Sequence, residues 1–309
     1  MAQVVVSTSS FARYDPRPLE LLRAAGHEIA LNPHGRRLED TEIRELARHA
    51  QGLIAGTELL TRETLAVCTR LAVVSRCGVG LDGIDLAAAG ELGIKILRTT
   101  DAHVDPVAEL TLSGILSLLR RLGEAERALR SGNWRKPMGR LLKGKTVGIV
   151  GLGRTGRRLV ELLAPFSCEI RAVDPAEDPI FAATHGVTYG DLRSVLSNSD
   201  VVTLHLEYSA AVHHLIAAPQ LAVMKESAIL VNTARGGLVD EAALVEALAD
   251  GALAGAFIDV FEREPYDGPL AAMDNVLLSP HIGSYAVEGR VAMEIEAAQN
   301  LLTGLGQRE

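Results

Sequence analysis

Three side chains in the second half of the chain have the types and settings for acid–base and carboxylate-binding chemistry. Arg235 follows an apolar run in LVNTARGG; a guanidinium holds a carboxylate through two parallel hydrogen bonds and stays cationic at any working pH. His281 closes another apolar run in LLSPHIGS, and Glu264 follows a third in GAFIDVFEREP. A histidine within reach of a glutamate is a candidate general acid and base. Each residue alone could be structural, but together they predict a catalytic set.

Two further polar side chains close apolar, strand-like runs. Asp259 ends GAFID and His205 ends VVTLH. An acid at the end of a buried strand needs a partner, because burying an unpaired charge is costly. Open parallel sheets bind ligands at the carboxyl ends of their strands. We therefore predict that these two side chains converge with the catalytic set. His205 ends its strand where a cofactor would lie, and it either contacts that cofactor or has a structural role only.

The stretch of residues 144–174, GKTVGIVGLGRTGRRLVELLAPFSCEIRAVD, predicts what that cofactor is. It contains an apolar strand, a glycine turn with Gly151, Gly153 and Gly156, an amphipathic helix, and a second strand that ends in Asp174. This order is the dinucleotide-binding βαβ unit, in which pyrophosphate meets the helix N-terminus and the acid accepts hydrogen bonds from ribose hydroxyls. A ligand-free glycine turn is the alternative, but the complete context favours NAD.

The elements that must position these residues alternate between apolar strands and helical patterns over both halves of the chain. Such alternation predicts an α/β fold with parallel sheets covered by helices. The longest helical pattern, residues 103–130, is expected to lead into the cofactor domain as one helix. A last helix, Ala286–Thr303, is expected to return to the N-terminal domain, which otherwise lacks a closing helix.

A second glycine-containing loop follows a strand in the first half, SRCGVGLDG. Such a loop can present backbone N–H groups to an anion, and we predict that Arg76, Gly78 and Val79 contact the substrate. Cys77 lies in the same loop, but no motif places a base beside it. We expect no catalytic role for this cysteine.

Composition limits the remaining functions. The chain has 309 residues and a formal net charge of −8, which argues against a nucleic-acid partner because phosphate backbones require a basic surface. No apolar run approaches the ~18 residues of a membrane span, and the N-terminus has no basic segment followed by an apolar one. The three cysteines have unrelated spacings, so neither a disulfide framework nor a metal site is expected. These features favour a cytoplasmic protein without a membrane partner.

The motifs together resemble the D-2-hydroxyacid dehydrogenases, and most closely their phosphoglycerate dehydrogenase branch in a short form without a regulatory domain. The likeness runs through RCGVGLDGIDL, VAEL, SGNW, GKTVGIVGLGRTG, NTARGGLVDE, GAFIDVFEREP and NVLLSPHIG. It implies two Rossmann-like domains. A central NAD-binding domain, 100–283, would be inserted in a flavodoxin-like substrate domain formed by residues 1–99 and 284–309.

The resemblance also implies a role for each site residue. Arg235 would bind the substrate carboxylate, and Glu264 would orient His281 and stabilise its protonated form. His281 would move a proton while the nicotinamide moves a hydride. The residues implied to contact NAD are Gly151, Gly153, Arg154, Thr155, Gly156, Asp174, His205, Leu206, Thr233, Ala234, Asp259 and Gly283.

The chain departs from the family pattern at places that bear on the substrate. Thr57 stands where the phosphoglycerate branch has an arginine, and the loop of residues 99–106 lacks the usual asparagine and carries Asp101, His103 and Asp105. The expected reaction is the interconversion of a small D-2-hydroxy acid and its 2-keto acid. We expect a second anionic group on the substrate, as in 3-phosphoglycerate.

Two other functions fit the same fold: a corepressor-like protein that senses NAD(H), and a structural relative with an empty site. The intact arginine, glutamate and histidine favour the enzyme. In the resembled family the long helix and the segment with Trp134 reach the partner subunit. A homodimer is therefore expected, although a monomer of this length could also bury adequate cores.

Overall fold

The computed structural model describes residues 2–306. The chain divides into two compact units. The first takes the residues up to His103 together with those from Ser284 onward, and the second is Val104–Gly283. Within the described residues, no helix is both long and apolar enough to cross a membrane.

Twelve strands and twelve α-helices are described, numbered in chain order. The strands β1–β12 are Gln3–Val6, Glu28–Leu31, Gly52–Ala55, Val73–Arg76, Lys95–Arg98, Thr146–Val150, Glu169–Val173, Val187–Tyr189, Val201–Leu204, Ile229–Asn232, Gly255–Ile258 and Val276–Leu278. The helices α1–α12 are Arg17–Ala24, Asp40–Ala47, Arg62–Val67, Leu86–Glu91, Val104–Leu119, Leu122–Arg130, Arg154–Leu163, Pro179–His185, Leu192–Asn198, Ala218–Leu221, Glu241–Ala249 and Val287–Gly304.

The first unit is a parallel five-stranded sheet in the order β2-β1-β3-β4-β5, which is the flavodoxin-like order. Successive residues of its central strands enter different cores: Leu53 and Ala55 pack on one face and Ile54 on the other. Both faces are therefore covered, as a parallel sheet requires. α12 packs on α1, β3, β4 and β5.

The second unit is a parallel seven-stranded sheet in the order β12-β11-β10-β9-β6-β7-β8. Its strands alternate in the same way: Leu230 and Ile258 lie in one core, and Val231 and Phe257 in the other. The strand order changes direction between β6 and β9, and such a switch point is where parallel sheets bind ligands. The two parallel α/β units confirm the predicted fold class.

The helical pattern of residues 103–130 forms two helices, α5 and α6, so the prediction of one continuous helix was wrong. The chain turns at Arg121, whose φ of 51° is left-handed. Beyond the turn, the Arg140 N–H donates to the Leu119 carbonyl at 2.7 Å. A Cβ on Gly139 would lie 2.7 Å from the same oxygen. The returning segment thus occupies the end of α5, where helical carbonyls lack partners, and residue periodicity does not report that contact.

Candidate active site

The glycine turn after β6 has the steric properties of a phosphate-binding turn. Gly151 has a φ of 94°, and a Cβ there would lie 2.8 Å from the His205 carbonyl oxygen. A Cβ on Gly156 would lie 2.5 Å from the Gly151 oxygen, so only glycine lets α7 pack this closely on the strand. A Cβ on Gly153 would meet no atom within 4 Å. Open space therefore faces the start of α7, where N–H groups favour an anion, and this turn fits a dinucleotide pyrophosphate.

Asp174 is held directly after β7 by two backbone N–H groups. Its Oδ2 accepts from Leu152 in the glycine turn at 2.7 Å, and its Oδ1 accepts from Ala176 at 2.8 Å. An ionised carboxylate has about four lone-pair positions, so both oxygens retain capacity for ribose hydroxyls. Arg154 is exposed at the first position of α7 and Thr155 follows it half-buried, both at the mouth of the same turn.

His205 follows β9 beside this turn. Its ring Nε2 is hydrogen-bonded to the hydroxyl of Thr203 at 3.0 Å, and its backbone N–H donates to the Val150 carbonyl. Burial lowers the pKa of His205 to about 4, so the ring is neutral near pH 7. A Cβ on Gly151 would lie 2.8 Å from Cδ2 of Leu206, so this side chain packs against the turn. Both residues adjoin the predicted phosphate site.

The loop after β10 carries Arg235 and is shaped by Asn232. The Asn232 side chain donates to the Arg235 carbonyl at 2.8 Å and accepts from the Ala234 N–H at 3.1 Å. The Arg235 Nη1 donates to the Ala234 carbonyl at 2.7 Å. The preceding Thr233 shares a hydrogen bond of 2.8 Å with the hydroxyl of Thr111 on α5. The guanidinium is thus supported by a loop with fixed backbone geometry.

Asp259 follows β11 directly and is fully buried, and its carboxylate organises the loop after β12. It accepts hydrogen bonds from the Ser279 hydroxyl at 2.5 Å and from the N–H groups of Ile282 and Gly283 at 2.9 and 2.8 Å. These donors are the partners that a buried carboxylate requires. They also fix the residues on either side of His281. The contact of Asp259 and Gly283 with NAD stays a prediction.

Glu264 and His281, the predicted acid–base pair, are hydrogen-bonded to each other. The imidazole Nδ1 lies 2.9 Å from Oε2 and 3.0 Å from Oε1 of the carboxylate. The backbone N–H of Phe261 donates to the same Oε1 at 3.2 Å, and the backbone N–H of His281 donates to the Asp259 carbonyl at 2.8 Å. Because Nδ1 faces Glu264, Nε2 is the nitrogen that can reach a substrate. The histidine side chain is 40% exposed, which suits contact with a bound molecule.

The three residues predicted to bind substrate through the first unit lie at the end of β4 and in the loop after it. The Gly78 N–H donates to the Thr99 hydroxyl oxygen at 2.9 Å, and Arg98 donates to the Val79 carbonyl at 3.0 Å. Arg76 donates to the Cys77 carbonyl. A Cβ on Gly78 would lie 2.5 Å from Nη1 of Arg76, so the guanidinium packs against this glycine. An anion at this loop would therefore compete with contacts inside the loop. Burial raises the pKa of the Cys77 thiol, which does not favour a nucleophile.

Two residues that support the site were not predicted from the sequence. Asn232 and Ser279 each form a hydrogen bond that orients a loop with a predicted catalytic side chain. Both are polar residues at the end of an apolar strand, the same signal that identified Asp259. Within residues 2–306, no group of three or more histidine, cysteine, aspartate or glutamate side chains could hold a metal ion.

Comparison with known proteins identifies relatives of this chain. The model of the D-isomer specific 2-hydroxyacid dehydrogenase NAD binding domain matches residues 112–283. A glyoxylate reductase of Thermofilum pendens is 40% identical over 258 residues, covering 81% of this chain and 76% of that protein. A D-3-phosphoglycerate dehydrogenase of Methanocaldococcus jannaschii is 38% identical over 270 residues, covering 85% of this chain but 51% of that protein. This chain thus spans about half the length of the second relative.

A solved structure agrees over nearly the whole chain. The TT0316 protein from Thermus thermophilus superposes with a TM-score of 0.91 at 33% sequence identity. The match covers 99% of this chain and 98% of that one. The resemblance inferred from the motifs and the prediction of NAD as cofactor are both confirmed by these comparisons.

Proposed function

Because this chain belongs to the D-isomer specific 2-hydroxyacid dehydrogenase family of NAD-dependent oxidoreductases, we propose that Arg235, Glu264 and His281 are its catalytic residues. The observation that supports this assignment is the Glu264–His281 pair, which is joined at 2.9 Å at the carboxyl end of the parallel sheet. Arg235 follows the neighbouring strand β10 in the same unit. Polar groups at this sheet edge converge on a bound ligand.

Arg235 binds the substrate carboxylate in this proposal. Its loop is held by Asn232 and packs through Gly236 on the backbone of Phe261, so the guanidinium approaches the substrate from a rigid support. Bidentate binding fixes both the position and the plane of the carboxylate. The carbon that reacts is bonded to that carboxylate, and orienting it is a large part of the catalytic effect.

His281 carries the proton. NAD, when bound by the glycine turn and Asp174, supplies the chemistry of hydride transfer. In oxidation, Nε2 of His281 accepts the proton of the substrate hydroxyl, and in reduction it returns that proton to the developing alkoxide oxygen. Glu264 stabilises the imidazolium and fixes the ring through Nδ1.

We infer a distal anionic group on the substrate, with 3-phosphoglycerate as the first compound to test. The phosphoglycerate dehydrogenase relative and the loop with Arg76, Gly78 and Val79 support this inference. The glyoxylate reductase relative supports a small uncharged tail instead, and Thr57 agrees with that alternative. The loss of one charged hydrogen bond costs roughly 1.5–3 kcal/mol, enough to change the preferred acid.

A substrate panel tests both levels of the proposal. Oxidation of 3-phosphoglycerate, sulfolactate, malate and glycerate with NAD, and reduction of glyoxylate and hydroxypyruvate with NADH, would be followed by nicotinamide absorbance. Arg76→Ala should selectively lower kcat/KM for acids with a charged tail, and Arg48→Ala, an exposed arginine of the same unit, is the control. Preference for glycerate or glyoxylate, with unchanged ratios in Arg76→Ala, would contradict the distal anion. Failure to convert any 2-hydroxy or 2-keto acid would contradict the proposed dehydrogenase activity.

A homodimer is proposed from the exposed apolar side chains around α6. None of the α6 residues is buried, although the helix is amphipathic. The large apolar side chains exposed here are Leu122, Leu129, Trp134, Met138 and Leu141. Apolar side chains clustered at a surface commonly mark an interface. Light scattering should give twice the chain mass of 32.9 kDa, and Leu129→Glu should shift that mass towards the monomer. A cytoplasmic location remains part of the proposal.

A further inference from the structure

A histidine that has no assigned role, His214, pairs with the loop that carries Arg235. Its backbone N–H donates to the Gly237 carbonyl at 2.8 Å, and the Ile216 backbone N–H donates to the Leu238 carbonyl at 3.0 Å. The Asp240 N–H returns a bond to the Ile216 carbonyl at 2.9 Å. The segment therefore forms a short parallel ladder with the chain directly after Arg235.

The His214 side chain reaches a different loop. Its Nε2 forms a hydrogen bond with Oε1 of Glu262, two residues before Glu264. Its Nδ1 lies 3.9 Å from an Asp240 oxygen, and its ring stacks on His213 with a centroid separation of 3.8 Å. The side chain is 33% exposed and Glu262 is 38% exposed, so the pair is partly shielded from water.

Glu262 is also fixed through its backbone. Its N–H donates to Oε1 of Glu241, at the first position of α11, at 2.7 Å. Burial raises the pKa of the Glu241 carboxyl, whereas this hydrogen bond from the Glu262 N–H acts in the opposite direction. The neighbouring Phe261 donates its N–H to Glu264. His214 thus joins, through one residue, the loop that carries Arg235 and the loop that carries Glu264.

We propose that His214 is a positioning residue that fixes the Arg235 loop relative to the Glu264–His281 pair. This inference rests on the proposed function. The carboxylate and the carbonyl of a 2-keto acid are adjacent, so the guanidinium and the imidazole must hold one separation to serve both groups. A misplacement of about 1 Å can cost roughly 100-fold in rate. The His214–Glu262 bond is a side-chain contact between the segment after β9 and the loop after β11.

The test uses four variants of the full chain with the keto acid that the wild type reduces fastest. His214→Leu and Glu262→Ala should each lower kcat/KM by roughly 10- to 100-fold, with a raised KM for the keto acid and unchanged NADH affinity and Tm. His214→Gln keeps a donor for Glu262 and should recover part of the loss. The double variant His214→Leu/Glu262→Ala should lose no more than the worse single variant, because the two act through one contact.

Glu161→Ala is the matched control, since it removes the carboxylate of another partly exposed ion pair of the same unit, with Arg158 at 2.8 Å. If His214→Leu fails to fold, Glu262→Ala alone decides. A kcat and a KM in Glu262→Ala that equal those of the wild type would overturn the inference and leave the proposed function intact. Additive losses in the double variant would also overturn it. Absence of keto-acid reduction by the wild type would overturn the proposed function and this inference with it.

Discussion

Gly236 lies directly against the backbone of Phe261: a Cβ on this glycine would be 1.9 Å from the Phe261 carbonyl carbon and 2.1 Å from its oxygen. The contact joins the loops after β10 and β11, which carry Arg235 and Glu264. Backbone atoms cannot rotate away as a flexible side chain can. The glycine next to Arg235 therefore determines how closely the loop that carries Arg235 approaches the loop that carries Glu264.

Gly236→Ala should force these two loops apart. Inserting a methyl group into a packed contact costs about 1–3 kcal/mol, so we expect a lower free energy of unfolding and a lower kcat/KM for keto-acid reduction. Denaturant unfolding and steady-state kinetics measure the two effects. Gly90→Ala in α4, where a Cβ would meet no atom within 4 Å, should be neutral or stabilising by about 0.5–1 kcal/mol. Equal behaviour of both variants would contradict the steric argument.

Asp174 should make NADH strongly preferred over NADPH, because its carboxylate accepts from ribose hydroxyls and repels a 2′-phosphate. Two like unit charges 4 Å apart repel each other by about 1 kcal/mol in bulk water and by about 4 kcal/mol near a protein surface. The ratio of kcat/KM for the two cofactors measures this preference. Asp174→Asn, which keeps an acceptor for the Leu152 N–H, should reduce the ratio. Glu177→Gln, an exposed neighbour, should change it little, and equal use of both cofactors by the wild type would refute the role of Asp174.

His281→Ala should lower turnover by roughly 10²–10⁴-fold, the usual contribution of a positioned acid–base group. NADH affinity should remain, because the glycine turn and Asp174 are untouched. His49→Ala, an exposed histidine of the first unit, controls for loss of an imidazole. Retention of near wild-type kcat in His281→Ala would remove this residue from the mechanism.

Glu264→Ala should lower kcat for keto-acid reduction, because the Glu264 carboxylate holds Nδ1 of His281 at 2.9 Å and thereby fixes the orientation of Nε2. Glu264→Gln keeps an acceptor for Nδ1 and should lose less activity. Steady-state kinetics of the two variants provides the measurement. Equal losses in the two variants, or no loss in Glu264→Ala, would contradict this orienting role.

His205 should make stability fall in mild acid. Its pKa is lowered from the ordinary 6.5 to about 4 by burial, so the unfolded chain binds more protons than the folded one between these values. Stability then decreases as pH falls from about 6.5 to about 4 and the contribution levels off below that. Denaturant unfolding across this range should show a shallower slope in His205→Gln. An identical slope in both proteins would contradict the prediction.

Much of the site could be predicted from local patterns in the sequence. The glycine turn, its flanking strands and Asp174 lie within one segment of the chain, and their order alone predicts a dinucleotide site. Arg235, Asp259 and His281 each follow an apolar strand. Because parallel strands end at the same edge of a sheet, their convergence follows once the parallel fold is inferred.

Other features were decided only by tertiary contacts. The turn at Arg121 depends on the segment that returns to the Leu119 carbonyl, and helical periodicity continues across it. Asp259 was expected to need a partner, but its donors come from the loop after a different strand. The His214–Glu262 contact joins residues 48 positions apart. Hydrophobic periodicity encodes which face of an element is buried, whereas these hydrogen bonds depend on how loops from separate strands meet. The sequence alone therefore determined the cofactor turn and the proposed catalytic side chains at the strand ends, and the packing of the loops decided how those loops contact each other.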